Sequence, residues 1–441
     1  MSIETTTTIQ KRRKDVLRIS KAASKELSEA GIGTEFIHQM LLLTGIADVL
    51  LFLDRDFEPP RSAFPRLPIR RGNEVERYFG AYFQKGAERS RELRLSGGLD
   101  VERPVIYFDQ LNAVFGRTDH EGLAALWKMK HVKKTIGIPS FERFRSRLGR
   151  SSSKPGAGDP LGVGALWKKG LEGDGVRIGH IDSGIDGAHP AFDDAIDLFA
   201  EAARNGNVVE STPAVDSDRK GHGTHTAGTI AARKVGPHPG GIAPKAKLVS
   251  AVVLREHHRT KAAVIGAINW LLRQEIAVMN LSVTLVEPAN DVVDLFDAVR
   301  DFGILPVAAI GNSGNGTSYQ PGNLETCLSV GAVDAANRLF QKSSSEQIEE
   351  RLHPKVVAHG VDAVSTLPGN QYGPRTGTSF AAPRISGIAA LLKQMAPNAT
   401  PDQIEDAITG SCAMFDGYAG RVRYGLPNAA TAADLLQKRF G

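Results

Sequence analysis

Gly377-Thr378-Ser379-Phe380-Ala381-Ala382-Pro383 opens a run from Ser379 to Met395, SFAAPRISGIAALLKQM, that reads as a largely apolar, buried helix. Gly377 lets the backbone turn tightly into it, and Pro383 is tolerable because it lies near the helix start. Ser379 therefore stands at a helix N-terminus, where free N–H groups and the helix dipole favour developing negative charge. A lone Gly-Thr-Ser is ordinarily a turn. Its meaning here depends on whether a base and a carboxylate stand elsewhere in the chain.

Two segments upstream supply them. Val176 to Pro190 reads VRIGHIDSGIDGAHP: Val176 to Ile181 has the pattern of a buried parallel strand, and Asp182 follows at its C-terminal end. That edge of an open α/β sheet is where sites are built, although Asp182 alone would pass for a turn residue before Ser183-Gly184. Gly221 to Gly228 reads GHGTHTAG, placing His222 and His225 one turn apart. An imidazole titrates near neutrality and suits proton shuttling, whereas HxxH without further ligands is a weak metal signal. A fourth segment, Ala308-Ala309-Ile310-Gly311-Asn312-Ser313-Gly314, follows the strand-like Ile304 to Val307; an Asn beside Gly is otherwise a common turn. The chain order Asp, His, Ser distinguishes one convergent solution to serine catalysis from the others. On these segments the chain, over roughly residues 160–437, resembles the subtilisin-like serine proteases (subtilases).

The resemblance implies an α/β fold: a three-layer subtilisin-like domain with a mostly parallel sheet and helices on both faces, preceded by a small α+β prodomain. It assigns Ser379 as nucleophile, His222 as general base, Asp182 as the carboxylate that orients His222, and Asn312 as the oxyanion-hole amide. His225 is then a structural neighbour. Gly240 to Leu248 matches the family's turn before a core strand, and Ser329 to Asp334 a later structural strand. Ile276 to Ser282 matches the strand leading into the wall of the P1 pocket, so substrate contacts are expected at Leu281, Ser282, Val283, Thr284, Ala309 and Gly311. The chain departs from the family where Leu-Gly-Gly often follows Ser282: it has Val283-Thr284-Leu285-Val286, and Thr284 should narrow or reshape the pocket. After Val253-Leu254 a glycine- and serine-rich loop is replaced by Arg255-Glu256-His257-His258-Arg259-Thr260. That stretch is a solvated polar loop, or Arg255 and Arg259 select acidic residues upstream of the cut. No organic cofactor is implied; structural calcium is common in the family, but no site for it is identifiable from the sequence.

The 441 residues exceed the usual size of one domain, and their 41% hydrophobic content fits a sizeable core. Residues 1–60 read as a helical extension, including a buried helix over the apolar Met40 to Leu53, which is short for a membrane span and carries Asp48. Residues 61–145 read as an α+β unit that resembles the inhibitor-like prodomain. Its elements are a helix over Glu74 to Leu95, strands at Pro104 to Phe108, Leu111 to Phe115 and Val132 to Ile136, and a short helix capped by Thr118-Asp119-His120-Glu121. Residues 146–160, rich in Ser, Gly and Pro, read as an exposed linker and a maturation site, with the catalytic domain at 161–441. Residues 1–150 hold 27 Lys/Arg against 19 Asp/Glu and the remainder 27 against 30, an asymmetry that would favour docking of the two parts. The basic part lacks an aromatic-interleaved motif, so nucleic acid is not an expected partner. Cys327 and Cys412 cannot form a disulfide framework, and Cys327 reads as a buried thiol. The N-terminus lacks the apolar core of a secretory signal, so a cytoplasmic location is expected, with non-classical export as the alternative.

The expected function is peptide-bond hydrolysis through an acyl-enzyme. The expected partners are polypeptide substrates and the chain's own N-terminal domain. Two rivals to a general degradative protease stand beside it: a dedicated processing protease, and a non-catalytic peptide-binding or scaffold protein on the same fold.

Overall fold

A computed structural model describes residues 46–54, 57, 71–92, 104–137, 141–142, 147–148, 161–238, 240–253, 261–285 and 292–440. Most of the expected helical extension, most of the linker, and both Arg255 and Arg259 lie outside these residues. In chain order the described elements begin with β1 (Ala47–Leu53), α1 (Arg71–Glu92), β2 (Val105–Phe108), β3 (Ala113–Thr118), α2 (His120–Leu126), β4 (Val132–Gly137), β5 (Phe141–Glu142) and β6 (Arg147–Leu148). There follow α3 (Val163–Trp167), β7 (Arg177–Asp182), β8 (Ile196–Ala202), β9 (Val208–Glu210), α4 (His222–Ala231), β10 (Lys247–Val252), α5 (Lys261–Leu271), β11 (Val278–Leu281), β12 (Thr284–Leu285) and α6 (Val293–Asp301). The chain closes with β13 (Leu305–Ala309), β14 (Leu328–Val333), β15 (Glu346–Ile348), β16 (Arg351–His353), β17 (Val356–His359), β18 (Ala363–Leu367), β19 (Gln371–Thr376), α7 (Thr378–Met395), α8 (Pro401–Gly410) and α9 (Ala429–Phe440).

The main sheet has eight strands in the order β17-β14-β13-β11-β7-β10-β8-β9, with only β9 antiparallel to its neighbour. Alternate residues of its central strands enter different cores, as the pleat demands. Ile178, Leu248 and Val278 pack with α3, α4, α7, α8 and α9 on one face. Ile181, Val249 and Met279 pack with α5 and α6 on the other. This is the three-layer α/β architecture, with near-continuous apolar strands because both faces are covered. β7 lies between β10 and β11, where the connections leave in opposite directions, so Asp182 ends at the sheet's switch point.

The N-terminal unit is a four-stranded antiparallel sheet, β2-β3-β1-β4. Here the structure corrects the sequence reading. Ala47 to Leu53 is strand β1, not helix, and it is a central strand of this sheet, so the unit begins before residue 61. The cause is burial on both faces. Val49, Leu51 and Leu53 pack against α1 and α2, while Leu50, Ile106, Phe108 and Phe115 enter the same core as α5 and α6. A strand covered on both sides is apolar throughout and loses the alternation that separates strand from helix. Asp48, the one charge in it, is buried against buried Arg117. The helix cap also sits one residue later than expected: Asp119, not Thr118, accepts from the Gly122 N–H at 2.9 Å, while the Thr118 hydroxyl donates to the Tyr82 carbonyl.

The two parts meet where the β2–β3 turn docks on α5. Asn269 accepts from the N–H groups of Gln110 and Leu111 at 3.0 and 3.3 Å and donates to Asp109 at 3.1 Å. Arg273 pairs with Asp109. This ion pair runs opposite to the overall charge asymmetry: the acid is on the basic N-terminal part. Local hydrogen-bond partners, not the net field, fix the register. Among the described residues no helix is long and apolar enough to cross a membrane.

Replacing Asn269 with Leu strands two N–H groups at this seam. It is expected to loosen the N-terminal unit by about 1–3 kcal/mol. The measurement is limited proteolysis of the full chain, with faster loss of the N-terminal fragment from the variant; equal rates would show that the seam does not hold the unit.

Candidate active site

The structure brings Asp182, His222, Ser379 and Asn312 to the C-terminal edge of the main sheet, from four separate elements. Asp182 is the last residue of β7 and has no exposed surface. Its Oδ1 accepts from the Ser183 N–H at 2.7 Å and lies 2.7 Å from His222 Nδ1. Its Oδ2 accepts from the Thr226 hydroxyl at 3.0 Å. Burial alone would push this carboxyl up, but the His222 ring, through its charge and hydrogen bond, together with His180 and the Ser183 N–H, outweighs burial and holds it at about 2.

His222 is the first residue of α4. The preceding Gly221 has φ +67°, and a Cβ there would lie 2.0 Å from Pro368 Cδ, so only glycine fits that cap. His222 Nδ1 faces Asp182, while among the described residues nothing hydrogen-bonds its buried Nε2. Among the same residues His225 and His359 each also leave a buried Nδ1 without a partner, so the Asp182 contact, not the orphaned nitrogen, sets His222 apart. His225 is bound differently: its Nε2 reaches the Ala363 and Gly373 carbonyls at 2.8 and 3.2 Å, and its ring meets Phe380 edge-on. It braces α4 against β18 and β19.

Ser379 lies in the first turn of α7 and is 1% exposed. Gly377, with φ +152°, makes the turn before it. The Ser379 hydroxyl donates to the Ser282 carbonyl at 3.4 Å, and among the described residues no hydrogen bond joins it to His222. Such links often tighten only with substrate in place. Pro383 has no N–H to offer the Ser379 carbonyl four residues back. The Ser282 hydroxyl fills that vacancy, donating to the Ser379 carbonyl at 2.9 Å. The sequence points to Ser282 only as a substrate contact; its brace on α7 has no signal there. Asn312 accepts from the Thr378 N–H at 2.9 Å through Oδ1, which turns its NH2 group away from Thr378.

Three further groups escape the sequence reading. Asp216 accepts from the Ser183 hydroxyl at 2.8 Å, from the Thr224 N–H at 2.8 Å and from the Thr224 hydroxyl at 2.6 Å. It thereby ties the loop after β7 to the first turn of α4. Thr226 and His180 lie behind Asp182 and are fully buried. None of these stands in a motif whose spacing betrays its partner.

The expected substrate residues Leu281, Ser282, Val283, Thr284, Ala309 and Gly311 line one side of this edge, and all are buried. β12 at Thr284–Leu285 is covered by β5 in antiparallel register, Thr284 opposite Glu142 and Leu285 opposite Phe141. β6 pairs with β19, Leu148 opposite Arg375 and Arg147 opposite Thr376. The N-terminal part thus pairs with β12, which follows Ser282, and with β19, which leads into Gly377. Among the described residues no group of three or more His, Cys, Asp or Glu side chains is placed to hold a metal ion. Both cysteines are free; burial pushes the Cys327 thiol up to about 12, which makes it inert.

The profile of the subtilase family matches residues 173–436. Subtilisin NAT of Bacillus subtilis subsp. natto is 30% identical over 331 residues, 74% of this chain and 82% of that protein. The major intracellular serine protease of Bacillus subtilis (strain 168) is 33% identical over 242 residues, 52% of this chain and 71% of that protein. The crystal structure of fervidolysin from Fervidobacterium pennivorans, a keratinolytic enzyme related to subtilisin, matches with a TM-score of 0.64 at 20% identity, over 88% of this chain and 61% of that one. That likeness shows the shared fold.

The packing around Ser379 can be tested directly. Ser282→Ala removes the donor to the Ser379 carbonyl and is expected to cost about 1–3 kcal/mol. Adding Pro383→Ala returns a backbone donor, so the double variant should recover part of that loss in a double-mutant cycle; strict additivity would show that the two are not coupled. Separately, burial pushes His180 and His225 down from the ordinary 6.5, to about 4 and about 3. The unfolded chain therefore takes up more protons than the folded one as pH falls through 6.5, so stability falls on acidification. Urea midpoints are expected to drop between about pH 7 and about pH 5 and to drop less in His180→Leu/His225→Leu, with His353 and His359, which burial also lowers to about 4, supplying the remainder; an unchanged drop would show that the first two rings contribute nothing.

Proposed function

The chain belongs to the subtilase family, and from that premise we propose that Ser379, His222 and Asp182 form the catalytic triad of a subtilisin-like serine endopeptidase made as a zymogen. Serine protease activity is the family's chemistry and needs no cofactor. The observation that carries the residue assignment is the buried 2.7 Å contact between His222 Nδ1 and Asp182, which leaves Nε2 as the free nitrogen. In the proposed reaction His222 Nε2 takes the Ser379 proton as the hydroxyl oxygen attacks the peptide carbonyl. Asp182 holds the ring in the tautomer that this requires and stabilises the imidazolium. The Asn312 NH2 group and the Ser379 N–H receive the oxyanion, a donor pair of which either member is worth about 3–4 kcal/mol in the transition state. His222 then protonates the leaving amine, and water reverses the sequence to release the acyl group.

The zymogen reading rests on β5 and β6. A peptide laid antiparallel on a sheet edge is the strand-addition mode of recognition. β5 pairs with β12 just before residue 143 in the chain, and β6 pairs with β19 just after residue 146, so the two pairings flank the proposed first cut. The N-terminal unit, docked on α5, then acts as an intramolecular inhibitor whose tail is the first substrate. The alignment to subtilisin NAT covers 74% of the chain, more than residues 161–441 supply, and so reaches into the N-terminal part. Thr284, in register with Glu142, forms part of the wall that reads the substrate, and its side chain supports selective processing over general degradation.

Intact mass of the wild type beside Ser379→Ala tests both readings. The wild type is expected to be cut between Glu142 and Arg147 and the variant to remain whole. A variant cut at the same place would overturn self-processing. Failure of the wild type, freed of its N-terminal part, to react with a fluorophosphonate would overturn the triad and favour a peptide-binding scaffold.

A further inference from the structure

β7 carries a histidine two residues before Asp182, and the pleat puts both on the face that meets α4. His180 has no exposed surface, and neither do Ser250 and Thr226 beside it. Ser250 is its register partner on β10. His180 Nδ1 lies 3.0 Å from the Ser250 hydroxyl, and Nε2 lies 2.9 Å from the Thr226 hydroxyl. Thr226 in turn lies 3.0 Å from Asp182 Oδ2 and 3.0 Å from the Gly223 carbonyl.

Proton counting fixes the direction of this chain. Asp182 Oδ2 and the Gly223 carbonyl can only accept, and the Thr226 hydroxyl has a single proton. If His180 Nε2 also accepted, three acceptors would compete for that proton. His180 must therefore donate through Nε2–H, leaving Nδ1 to accept from Ser250. Thr226 gives its proton preferentially to the carboxylate, since a charged acceptor makes the stronger bond. The neutral ring this needs is the form that burial enforces. The titratable groups acting on the ring are Asp182 and His222. Three buried polar side chains arranged in this way bring no clear gain in stability over apolar residues of the same size. Their shared end point is the second oxygen of the site carboxylate.

We propose that His180, held by Ser250 and acting through Thr226, is a positioning residue that fixes Asp182 Oδ2 and so sets the carboxylate's basicity toward His222. The proposal rests on the reading of Asp182, His222 and Ser379 as the triad. The His180 donor polarises the Thr226 hydroxyl and strengthens its bond to the carboxylate. Without it the carboxylate charge is less shared, the protonated form of the general base is favoured, and the ring is held less firmly.

The test is steady-state kinetics of the full purified chain on a chromogenic peptide across pH. His180→Leu is expected to lower kcat about fivefold, and Thr226→Val about tenfold, with KM unchanged. In both, the acid limb of kcat/KM should move up by about half a pH unit, because that limb reports the general base. His180→Gln, whose amide can reach Thr226, and Thr226→Ser, which keeps the hydroxyl, should return both readouts most of the way to wild type. The double variant His180→Leu/Thr226→Val should be no slower than Thr226→Val alone. A folded His180→Leu with wild-type kcat and limb overturns the proposal. So does a loss confined to thermal stability, or a loss that adds fully to that of Thr226→Val. Should His180→Leu not fold, an unmoved limb in Thr226→Val decides against the relay. Asp182→Ala separates the two levels. Full activity in that variant would remove the triad reading and the relay with it, whereas an inactive Asp182→Ala beside an unmoved Thr226→Val removes the relay alone.

Discussion

An ionised carboxylate with no exposed surface is costly unless donors surround it, and the catalytic half of this fold is arranged around meeting that demand at Asp182. The Ser183 N–H comes from the turn after β7, the His222 ring from the first turn of α4, and the Thr226 hydroxyl one helical turn further on. These can converge only if α4 starts where it does. Gly221, tight against Pro368, and Asp216, which joins Ser183 to Thr224, pin that start. β7 itself lies between β10 and β11, so the carboxylate stands at the end of a strand paired on both sides.

The serine side meets a different constraint. α7 carries a proline six residues into the helix, which frees a carbonyl in the turn that presents Ser379. The Ser282 hydroxyl closes the gap. The segment that follows β11 and the first turn of α7 are thereby tied together. The N-terminal unit is equally bound into the whole. One face of its sheet packs on its own helices, and the other shares a core with α5 and α6. Separating the unit from the rest would expose apolar surface on both parts.

Residues whose chemistry depends on their neighbours along the chain are legible from the sequence. The apolar strand ending in Asp182, the His222 segment, the Gly-Asn turn and the helix opened by Ser379 each carry a local pattern, and their order along the chain points to the family and the three-layer fold. Local patterns fail where two surfaces act on one segment. β1 reads as helix because burial on both faces erases its alternation. The α2 cap lies one residue later than its motif suggests because Asp119 and Thr118 could both serve, and the Tyr82 carbonyl claims Thr118.

The sequence by itself determined the family and the three-layer fold, since strand, turn and helix-start signals are properties of contiguous residues. Only the tertiary structure decided what the side chains touch. The Ser282 brace spans 97 positions, the Asp109–Asn269 seam 160, and the His180–Thr226 contact 46. Each pairs two ordinary polar residues whose partner is chosen by the packing of strands and helices, and no spacing rule connects positions so far apart.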